Sequence, residues 1–386
     1  MNVVFFSSYL NHHQLPFALA MDKLTDHQFT YVASKPISQA RLDLGYRDMD
    51  RDYPFVLRAY ESQEAYAQAM SLAESCDILV VGVAKEEVVA RHRPAGSVSF
   101  KYSERLYRKK TTFADLLSRL RFAKYTFVTC LRHPHYMLCS SAYTASDYGM
   151  FGNYWGKTFK WGYFPEAKKY DVEELLGKKR ENKRIQLLWV ARMLKLKRPE
   201  AMVFLARDLK ERGYDFDLNM IGVGEELPNV QKMIRQMNLE RNIHLLGSME
   251  PQTVRSYMET ADIFLFTSNR QEGWGAVLNE SMNSACAVVA SKAIGSVPFL
   301  IHHKRNGIIY RDGSQRALNR AVRALINDRE LRERLGKNAY QTISETWNVE
   351  EAARRLLDLS RALMAGKRTP FRSGPCSRAH MIGKSR

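Results

Sequence analysis

Two glutamates, Glu272 and Glu280, stand eight positions apart in the stretch NRQEGWGAVLNES, which begins at Asn269. Two glycines follow the first glutamate and disfavour a helix there, so Glu272 is predicted to lie in a loop. The residues that follow predict a helix that begins at about Ala276 and includes Glu280. At about 1.5 Å per residue, the second carboxylate lies roughly 6–8 Å along the axis from the helix start. The two acids therefore flank a helix start.

A helix start of this kind suits an anionic ligand. Its first backbone N–H groups have no partners within the helix and lie at the positive end of the helix dipole, which favours a phosphate. Carboxylates accept hydrogen bonds from sugar hydroxyls. The interval matches the offset between a diphosphate and the ribose of its nucleotide. The pattern thus predicts a nucleotide-sugar across the helix start, with Glu272 beyond the diphosphate and Glu280 at the ribose.

Two further loops are predicted to reach the same place. The runs IQLLWVA, FDLNMIG and IFLFTS indicate buried strands that alternate with helices, a pattern typical of a parallel sheet, whose ligands bind outside the carboxyl ends of the strands. Arg192 and Lys197 follow the first run, and the two glutamates follow the third. Gly222 and Gly224 follow the second run, although this short glycine pattern is also typical of a plain turn. Cations near a helix start oppose its dipole, so an anionic ligand makes Arg192 and Lys197 easier to understand.

The N-terminal half shows a similar alternation, with strand-like runs at NVVFF, FTYVA, DILVVGV, SVSFKY and YMLCSSAY. The predicted fold class is therefore α/β, with two Rossmann-like doubly wound domains in succession. The predicted boundaries are an N-terminal domain over 1–164, a linker over 165–184, a C-terminal domain over 185–345, a C-terminal helix over 346–366 and a basic disordered tail over 367–386.

Composition narrows the function classes. The chain has 386 residues, 45% of them hydrophobic, and a formal net charge of +18. Such a charge predicts an anionic partner, which is nucleic acid, an anionic membrane surface or a phosphorylated small molecule. No apolar run is long enough for a transmembrane helix, and the first residues do not resemble a signal peptide. The five cysteines are scattered, which favours a reducing cytoplasm and disfavours a disulfide framework or zinc site.

The stretch SNRQEGWGAVLNESMNSACAVVASKAIGSVPFLI resembles the signature of the retaining family-4 glycosyltransferases of GT-B fold. The likeness extends through LLWVARMLKLKRPE, MIGVGEE, NIHLLGSMEPQTVRSYMETADIFLFTSNRQEGWG and HHKRNGIIYRDG, and it covers roughly 185–350. It implies two Rossmann-like domains that face each other across a cleft, with the acceptor bound by the first domain and the nucleotide-sugar by the second.

The resemblance also implies residue roles. Arg192 and Lys197 grip the donor diphosphate, Glu272 contacts the transferred sugar, and Glu280 holds the ribose. The implied catalytic residues are therefore Glu272, Arg192 and Lys197, and the implied donor-binding residues are Gly222, Gly224, Gly273, Trp274, Gly275, Ala276 and Glu280. Trp274 is equally expected as core packing or as a wall of the sugar pocket.

The N-terminal domain matches the family far less well. Where the family often has a glycine-rich loop after its first strand, this chain has SSYLNHHQ, and the usual catalytic-site histidine has no clear counterpart. FKYSERLYRK occupies that place, so Ser103, Glu104 or Arg105 is expected there. His12 and His13, together with Glu104, are the candidates for the acceptor side.

The predicted function is transfer of a sugar from a nucleoside-diphosphate-sugar to a saccharide or lipid-linked acceptor, with retention, in surface polysaccharide biosynthesis. No cofactor or metal is expected, because no Asp-x-Asp follows a strand of the second domain and the cations can supply the positive potential. Nucleic acid is not expected as a partner. The protein is expected in the cytoplasm, either free or peripheral on the inner face of the membrane.

Other classes remain open at this point. A non-enzymatic nucleic-acid- or membrane-binding protein fits the charge, and a sugar epimerase or phosphorylase of GT-B fold fits the architecture, because a fold does not fix a reaction. A dinucleotide-dependent oxidoreductase would need G-x-G-x-x-G after its first strand, which neither domain has.

A membrane contact has its own candidate in TTFADLLSRLRFAKY, which predicts a basic amphipathic helix with Thr112 as N-cap. Its apolar stripe either lies on an anionic leaflet or packs on the sheet of the first domain. The stripe is formed by Phe113, Leu116, Leu117 and Leu120, and the basic residues around it are Arg105, Arg108, Lys109, Lys110, Arg119, Arg121 and Lys124.

Overall fold

The structure is a computed structural model of the chain. It describes residues 1–24, 28–42, 47–82, 87–92, 94–106, 120, 134–149, 152 and 154–383. These residues form two compact units. Unit 1 comprises Met1–Pro165 and Asn348–Lys384, and unit 2 is built from Glu166–Trp347. Most of the predicted amphipathic segment, residues 111–125, lies outside the described residues.

Unit 1 contains a seven-stranded parallel sheet in the order β3-β2-β1-β4-β5-β6-β7. The central strand β4 has the sequence ILVV and is buried along its whole length, as expected for a parallel strand covered on both faces. The elements in chain order are β1 Asn2–Ser7, α1 Leu15–Asp22, β2 Gln28–Ala33, α2 Gln39–Leu42, β3 Val56–Arg58, α3 Gln63–Ser75, β4 Ile78–Val81, α4 Glu87–Arg91, β5 Val98–Ser103, β6 His135–Cys139, α5 Thr144–Gly149 and β7 Thr158–Lys160.

Unit 2 contains a six-stranded parallel sheet in the order β10-β9-β8-β11-β12-β13. Its elements in chain order are α6 Val172–Arg180, β8 Ile185–Val190, a 3₁₀ turn Lys195–Lys197, α7 Glu200–Glu211, β9 Phe216–Ile221, α8 Leu227–Gln236, β10 Ile243–Leu245, α9 Pro251–Thr260, β11 Ile263–Phe266, α10 Val277–Asn283, β12 Ala287–Ser291, α11 Val297–Leu300, β13 Ile308–Tyr310, α12 Gln315–Asn327, α13 Arg329–Gln341 and a π turn Thr342–Thr346. Two Rossmann-like α/β sheets are therefore present, which confirms the predicted fold class.

The packed core of unit 2 fixes the strands from which its loops start. Apolar residues of β8, β9 and β11, such as Leu187, Leu218 and Leu265, pack against one face of α7, which contributes Leu205 and Leu209. Strand order reverses at β8, which pairs with β9 on one side and β11 on the other. Such a switch point opens a crevice at the carboxyl ends of the strands. The loops after β8, β9 and β11 start from this edge.

The segment predicted as a linker is not free chain between the units. Residues Val172–Arg180 form α6 of unit 2, and Asp171 is the N-cap of this helix. The Asp171 carboxylate accepts hydrogen bonds from the backbone N–H groups of Glu173 and Glu174 at 2.9 and 3.1 Å. Leu175 and Leu176 of this helix are buried against Ala285. The acidic first turn and basic last turn of α6 suit the helix dipole.

The predicted disordered tail is wrong for residues 367–383. After α14 (Val349–Met364), which begins at the N-cap Asn348, the chain runs along β7, the edge strand of unit 1. The Thr158 carbonyl accepts from Ala379 N–H at 3.0 Å, and the Lys160 carbonyl accepts from Cys376 N–H at 2.8 Å. An edge strand leaves backbone groups unpaired, and the tail satisfies them despite its disorder-prone composition.

None of the helices within the described ranges is long and apolar enough to cross a membrane.

Candidate functional site

The site in unit 2 is centred on an ion pair between Lys197 and Glu272. Lys197 ends the 3₁₀ turn that follows β8, and Glu272 lies in the loop after β11. Their side chains are 15% and 13% exposed, so the pair is shielded but still reached by solvent. Ser268 donates a second hydrogen bond to the same oxygen, Glu272 Oε2, at 3.1 Å. The carboxylate is thus fixed through one of its two oxygens.

The hydrogen-bonding atoms of this pair that remain unused decide which ligand groups it can bind. Glu272 Oε1 has no hydrogen-bond partner in the part of the chain that the structure describes, so it is available to a hydroxyl group. The Lys197 ammonium has three donors, and an anion can bind it without breaking the contact with Glu272. The pair therefore offers one acceptor and a positive charge side by side.

Hydrogen bonds also join the loop after β8 to the loop after β11. Trp189, in β8, donates from Nε1 to Thr267 Oγ1 at 2.9 Å, and Thr267 Oγ1 donates to the Lys197 carbonyl at 2.7 Å. The Asn269 N–H donates to the Leu196 carbonyl at 2.9 Å. Sequence reasoning did not select Thr267 or Ser268. Both residues directly follow the apolar run of β11, and that position could have identified them as candidates.

Gly222 and Gly224 bring a third loop against the first. Both have positive φ angles, +130° and +156°. A Cβ on Gly222 would overlap the Ala191 carbonyl oxygen, and one on Gly224 would lie 2.5 Å from the Met193 carbonyl oxygen. Only glycine therefore permits the approach of the loop after β9 to the loop after β8.

Arg192 differs from Lys197 in its surroundings. It lies two residues after β8, its side chain is exposed, and it forms no ion pair with another described residue. Arg192 and Lys197 follow the same strand, but only Lys197 is held in a defined position by an acid.

Glu280 lies in α10 as predicted and is half-buried. No other described residue forms a hydrogen bond with its carboxylate, whereas its backbone carbonyl accepts from Arg255 Nη1 at 3.0 Å. Burial raises the pKa of Glu280, and the positive charge of Arg255 partly opposes this shift. A half-buried carboxylate without a protein partner is unfavourable unless a ligand supplies one.

The residues between the two glutamates have mixed surroundings. The Trp274 side chain is 1% exposed, packs on Phe299 and Trp347, and donates from Nε1 to Asn279 at 2.9 Å. Trp274 is therefore a core residue, and its side chain does not form a wall of a pocket. The remaining donor candidates lie around the start of α10, with Gly273 buried, Gly275 against the Phe266 ring, and Ala276 as the N-cap residue.

In unit 1 the acceptor candidates lie after parallel strands and meet at one tyrosine. The phenol of Tyr163, three residues after β7, donates to Glu104, which follows β5. The His13 ring stacks on the Tyr163 ring, with centroids 5.5 Å apart and an interplanar angle of 9°, and the His12 and His13 rings lie 3.9 Å apart. Burial, followed by the charges of His12 and Arg41, lowers the pKa of His13 to about 4, so its imidazole is neutral at pH 7.

Sequence reasoning did not select Tyr163, which lies at the end of the predicted N-terminal domain. The signal that could have found it is its position directly after a short strand. The other two candidates of that region, Ser103 and Arg105, contact Tyr148 and Asp147, respectively. Within the ranges given above, no group of three or more His, Cys, Asp or Glu side chains is arranged to hold a metal ion.

Residues 171–342 match the family described as Glycosyl transferases group 1. The match lies within unit 2 and covers less than half of the chain. Unit 2 is thus similar to the glycosyl transferases group 1 family, in the part of the chain where the sequence resemblance was noted.

Two curated relatives are similar to part of the chain. The alpha-D-kanosaminyltransferase of Streptomyces kanamyceticus is 27% identical over 198 residues, covering 51% of this chain and 50% of the relative. The amylovoran biosynthesis glycosyltransferase AmsK of Erwinia amylovora is 30% identical over 139 residues, covering 35% of this chain and 34% of the relative. The chain spans about half the length, or less, of the curated relatives it matches.

A solved structure shares the fold over nearly the whole chain. Anabaena Alr3699/HepE in complex with UDP has a TM-score of 0.65 and 15% sequence identity, covering 92% of this chain and 98% of that chain. The same protein in complex with UDP-glucose has a TM-score of 0.60 at 15% identity, covering 92% and 99%. At this identity the likeness shows the fold alone.

Proposed function

We propose that this protein is a glycosyltransferase that moves a sugar from a nucleoside-diphosphate-sugar to an acceptor hydroxyl, and that unit 2 binds the donor. The observation that carries the proposal is the Lys197–Glu272 pair, formed by two loops at the switch point of the sheet. The domain match over 171–342 and the shared fold of a protein that binds UDP and UDP-glucose support it.

In this reaction the bond between the sugar C1 and the diphosphate oxygen breaks, and a bond from C1 to the acceptor oxygen forms. The diphosphate leaves with increased negative charge, which Lys197 and Arg192 stabilise from the loop after β8. Glu272 holds the sugar ring through the free oxygen of its carboxylate. The acceptor hydroxyl loses its proton as it attacks, and the departing diphosphate oxygen accepts that proton.

The donor nucleotide is held mainly by Glu280. Its carboxylate accepts hydrogen bonds from the ribose hydroxyls, which relieves the cost of its burial. Retention of the anomeric configuration, a hexose as the transferred sugar and a place in surface polysaccharide biosynthesis rest on the family resemblance, and the likeness to the amylovoran enzyme supports the last of these.

On the acceptor side, the proposed residues are His12, His13 and Glu104 in unit 1. The neutral imidazole of His13 can accept a hydrogen bond from a sugar hydroxyl. Glu104 is held by the Tyr163 phenol, so its position does not depend on the acceptor. The acceptor is a saccharide or a lipid-linked saccharide, and the protein acts in the cytoplasm or at the inner face of the membrane.

The test is a screen of nucleoside-diphosphate-sugars for slow donor hydrolysis by the purified full chain, with and without excess EDTA. We expect one donor to be hydrolysed to the nucleoside diphosphate and free sugar, at a rate that EDTA leaves unchanged. No hydrolysis of any donor, with no binding of UDP or GDP, would contradict the transferase proposal. Loss of activity in EDTA that manganese or magnesium restores would contradict the metal-independent reaction.

Replacing Glu280 is expected to weaken nucleotide binding without lowering the stability of the fold. Glu280→Gln is expected to raise the UDP dissociation constant about tenfold or more, because the neutral amide is a weaker acceptor for ribose hydroxyls. Because the folded state raises the pKa of Glu280, its ionised form destabilises the fold above the unfolded pKa. The variant should therefore melt at the same temperature as the wild type or higher at pH 7.

Titration calorimetry and thermal melts measure the two quantities. The matched control is Glu240→Gln, an exposed acid of unit 2, which should change neither. If Glu280→Gln lowered the melting temperature and left UDP affinity intact, Glu280 would be a structural residue.

A further inference from the structure

We propose that unit 1 docks on an anionic lipid surface through Trp155, Arg368, Arg378 and Met381, here called the Trp155 surface. The proposal deepens the proposed function and rests on it in one respect, that a lipid-linked acceptor lies in such a membrane. The docking itself does not depend on sugar transfer and is measured separately.

Backbone contacts of the C-terminal segment hold the Trp155 surface together. Arg378 pairs with Phe159 in an antiparallel bridge next to β7. Its guanidinium lies over the Phe159 ring at 5.7 Å and donates to the carbonyl of Gly156, the residue after Trp155. Ser146 hydrogen-bonds both backbone groups of Ile382 at 2.8 Å, which places the neighbouring Met381 against Gly149. The two stretches of chain thus form one continuous surface.

The positive charges of the two arginines in this surface are unpaired in the described part of the chain. Neither Arg368 nor Arg378 forms an ion pair with an acid among the residues that the structure describes. Burial, and then the charge of Arg368, lowers the pKa of Arg378. The sequence has no Asp or Glu after Asp358, and none from 148 to 165. Exposed cations that form no ion pair with a described acid favour an anionic partner.

The Trp155 surface also exposes two large apolar side chains. Trp155 is 70% exposed and Met381 is 52% exposed. Single exposed apolar residues are ordinary on protein surfaces, but an indole beside unneutralised arginines is the combination found where proteins meet anionic membranes. The indole and the thioether enter the interface while the arginines contact lipid phosphates.

The chemistry favours lipid over nucleic acid as the partner. Single-stranded nucleic acids are bound by several aromatic rings that stack on successive bases. In the Trp155 surface only Trp155 exposes a large ring, and its apolar companion Met381 has no flat face for a base. A phosphate-bearing bilayer, in contrast, uses both the apolar side chains and the guanidinium groups.

The experiment is sedimentation of the full chain with vesicles of phosphatidylcholine alone and with added phosphatidylglycerol, at low and high salt. We expect binding only to the anionic vesicles, with a loss at high salt. Arg368→Glu is expected to lower the partition coefficient about fivefold or more, since one basic residue near such a surface contributes about this factor. Trp155→Ala is expected to lower it by about the same factor or more, because the variant loses the apolar area that the indole buries in the interface. Both side chains are exposed, so the variants should fold, which thermal melts check.

The matched controls are Tyr66→Ala, at an exposed aromatic residue of unit 1, and Lys232→Glu, at an exposed cation of unit 2. Each control is expected to have a partition coefficient within about twofold of the wild-type value, the scale of ordinary surface effects. Absence of binding to anionic vesicles, equal binding to neutral vesicles, or binding that both test variants retain would overturn the proposal. So would release of the protein from vesicles by single-stranded DNA at stoichiometric amounts. Donor hydrolysis is assayed without lipid in every variant. Intact hydrolysis with failed docking overturns only the docking, and failed hydrolysis with intact docking overturns only the transferase proposal.

Discussion

Glu272→Gln is expected to lower the turnover number by about 100-fold or more, the scale of losing one preorganised polar group at a reacting centre. The amide keeps the size of the side chain but removes the negative charge and its ion pair with Lys197. Because Glu272 contacts the transferred sugar in the proposed function, affinity for free UDP should change little. Steady-state kinetics with the donor found by the screen, together with UDP calorimetry, measure both effects.

The matched control for this substitution is Glu211→Gln, an exposed acid whose contact is Arg207 at 3.7 Å within α7. It loses the same charge at the last residue of α7, outside the candidate site, and should leave turnover unchanged. If Glu272→Gln weakened UDP binding as strongly as Glu280→Gln and changed turnover no more than that, the division of roles between the two glutamates would be wrong.

Lys197→Ala is the second large effect. It is expected to cost about 2–4 kcal/mol of transition-state stabilisation in kcat/KM, which is roughly 30- to 1,000-fold in rate. The physical reason is that the ammonium is the positive charge fixed beside Glu272, and it opposes the charge that develops on the departing diphosphate. Arg192 is exposed and lacks such a fixed position, so it is not expected to replace Lys197.

Lys195→Ala is the control for Lys197→Ala, since Lys195 is an exposed cation of the same 3₁₀ turn. A cycle with the double variant Lys197→Ala, Glu272→Gln tests whether the two residues act together. Residues in contact give non-additive effects, so the double variant should lose much less than the sum of the two single losses in free energy. Additive losses, or a Lys195→Ala loss equal to that of Lys197→Ala, would mean that the ion pair has no role in the reaction.

The ion pair also shows how far local sequence reasoning reaches. Lys197 and Glu272 are 75 positions apart, and they were selected because each follows an apolar run that predicts a buried parallel strand. Parallel strands place their carboxyl ends at one edge of a sheet, so residues that follow different strands become neighbours. The apolar runs of β8, β9 and β11 are long enough to be recognised without any tertiary information. The contact itself, and the Ser268 hydrogen bond that orients it, depend on the loop conformations and were not predictable from the runs.

The three-residue strands β3, β7 and β13 were not among the predicted strands. Three residues are too short for a period-two pattern to stand out, and such strands form because the neighbouring edge of the sheet supplies hydrogen-bond partners. The same reason applies to the tail. Its lysines, arginines, prolines and glycines indicate disorder, yet Cys376 and Ser377 are fully buried because β7 offers an open edge to pair with.

The sequence by itself determined the α/β class, the two Rossmann-like sheets and the identity of the loops at the carboxyl edge of the second sheet, because strand periodicity, glycine positions and helix starts are local properties. The tertiary structure decided which candidates touch. It placed the Trp274 side chain in the core, left the Glu280 carboxylate without a hydrogen bond from any other described residue, and joined His13 and Glu104 through Tyr163. Burial and side-chain contact are set by residues distant in the chain, and no local pattern encodes them.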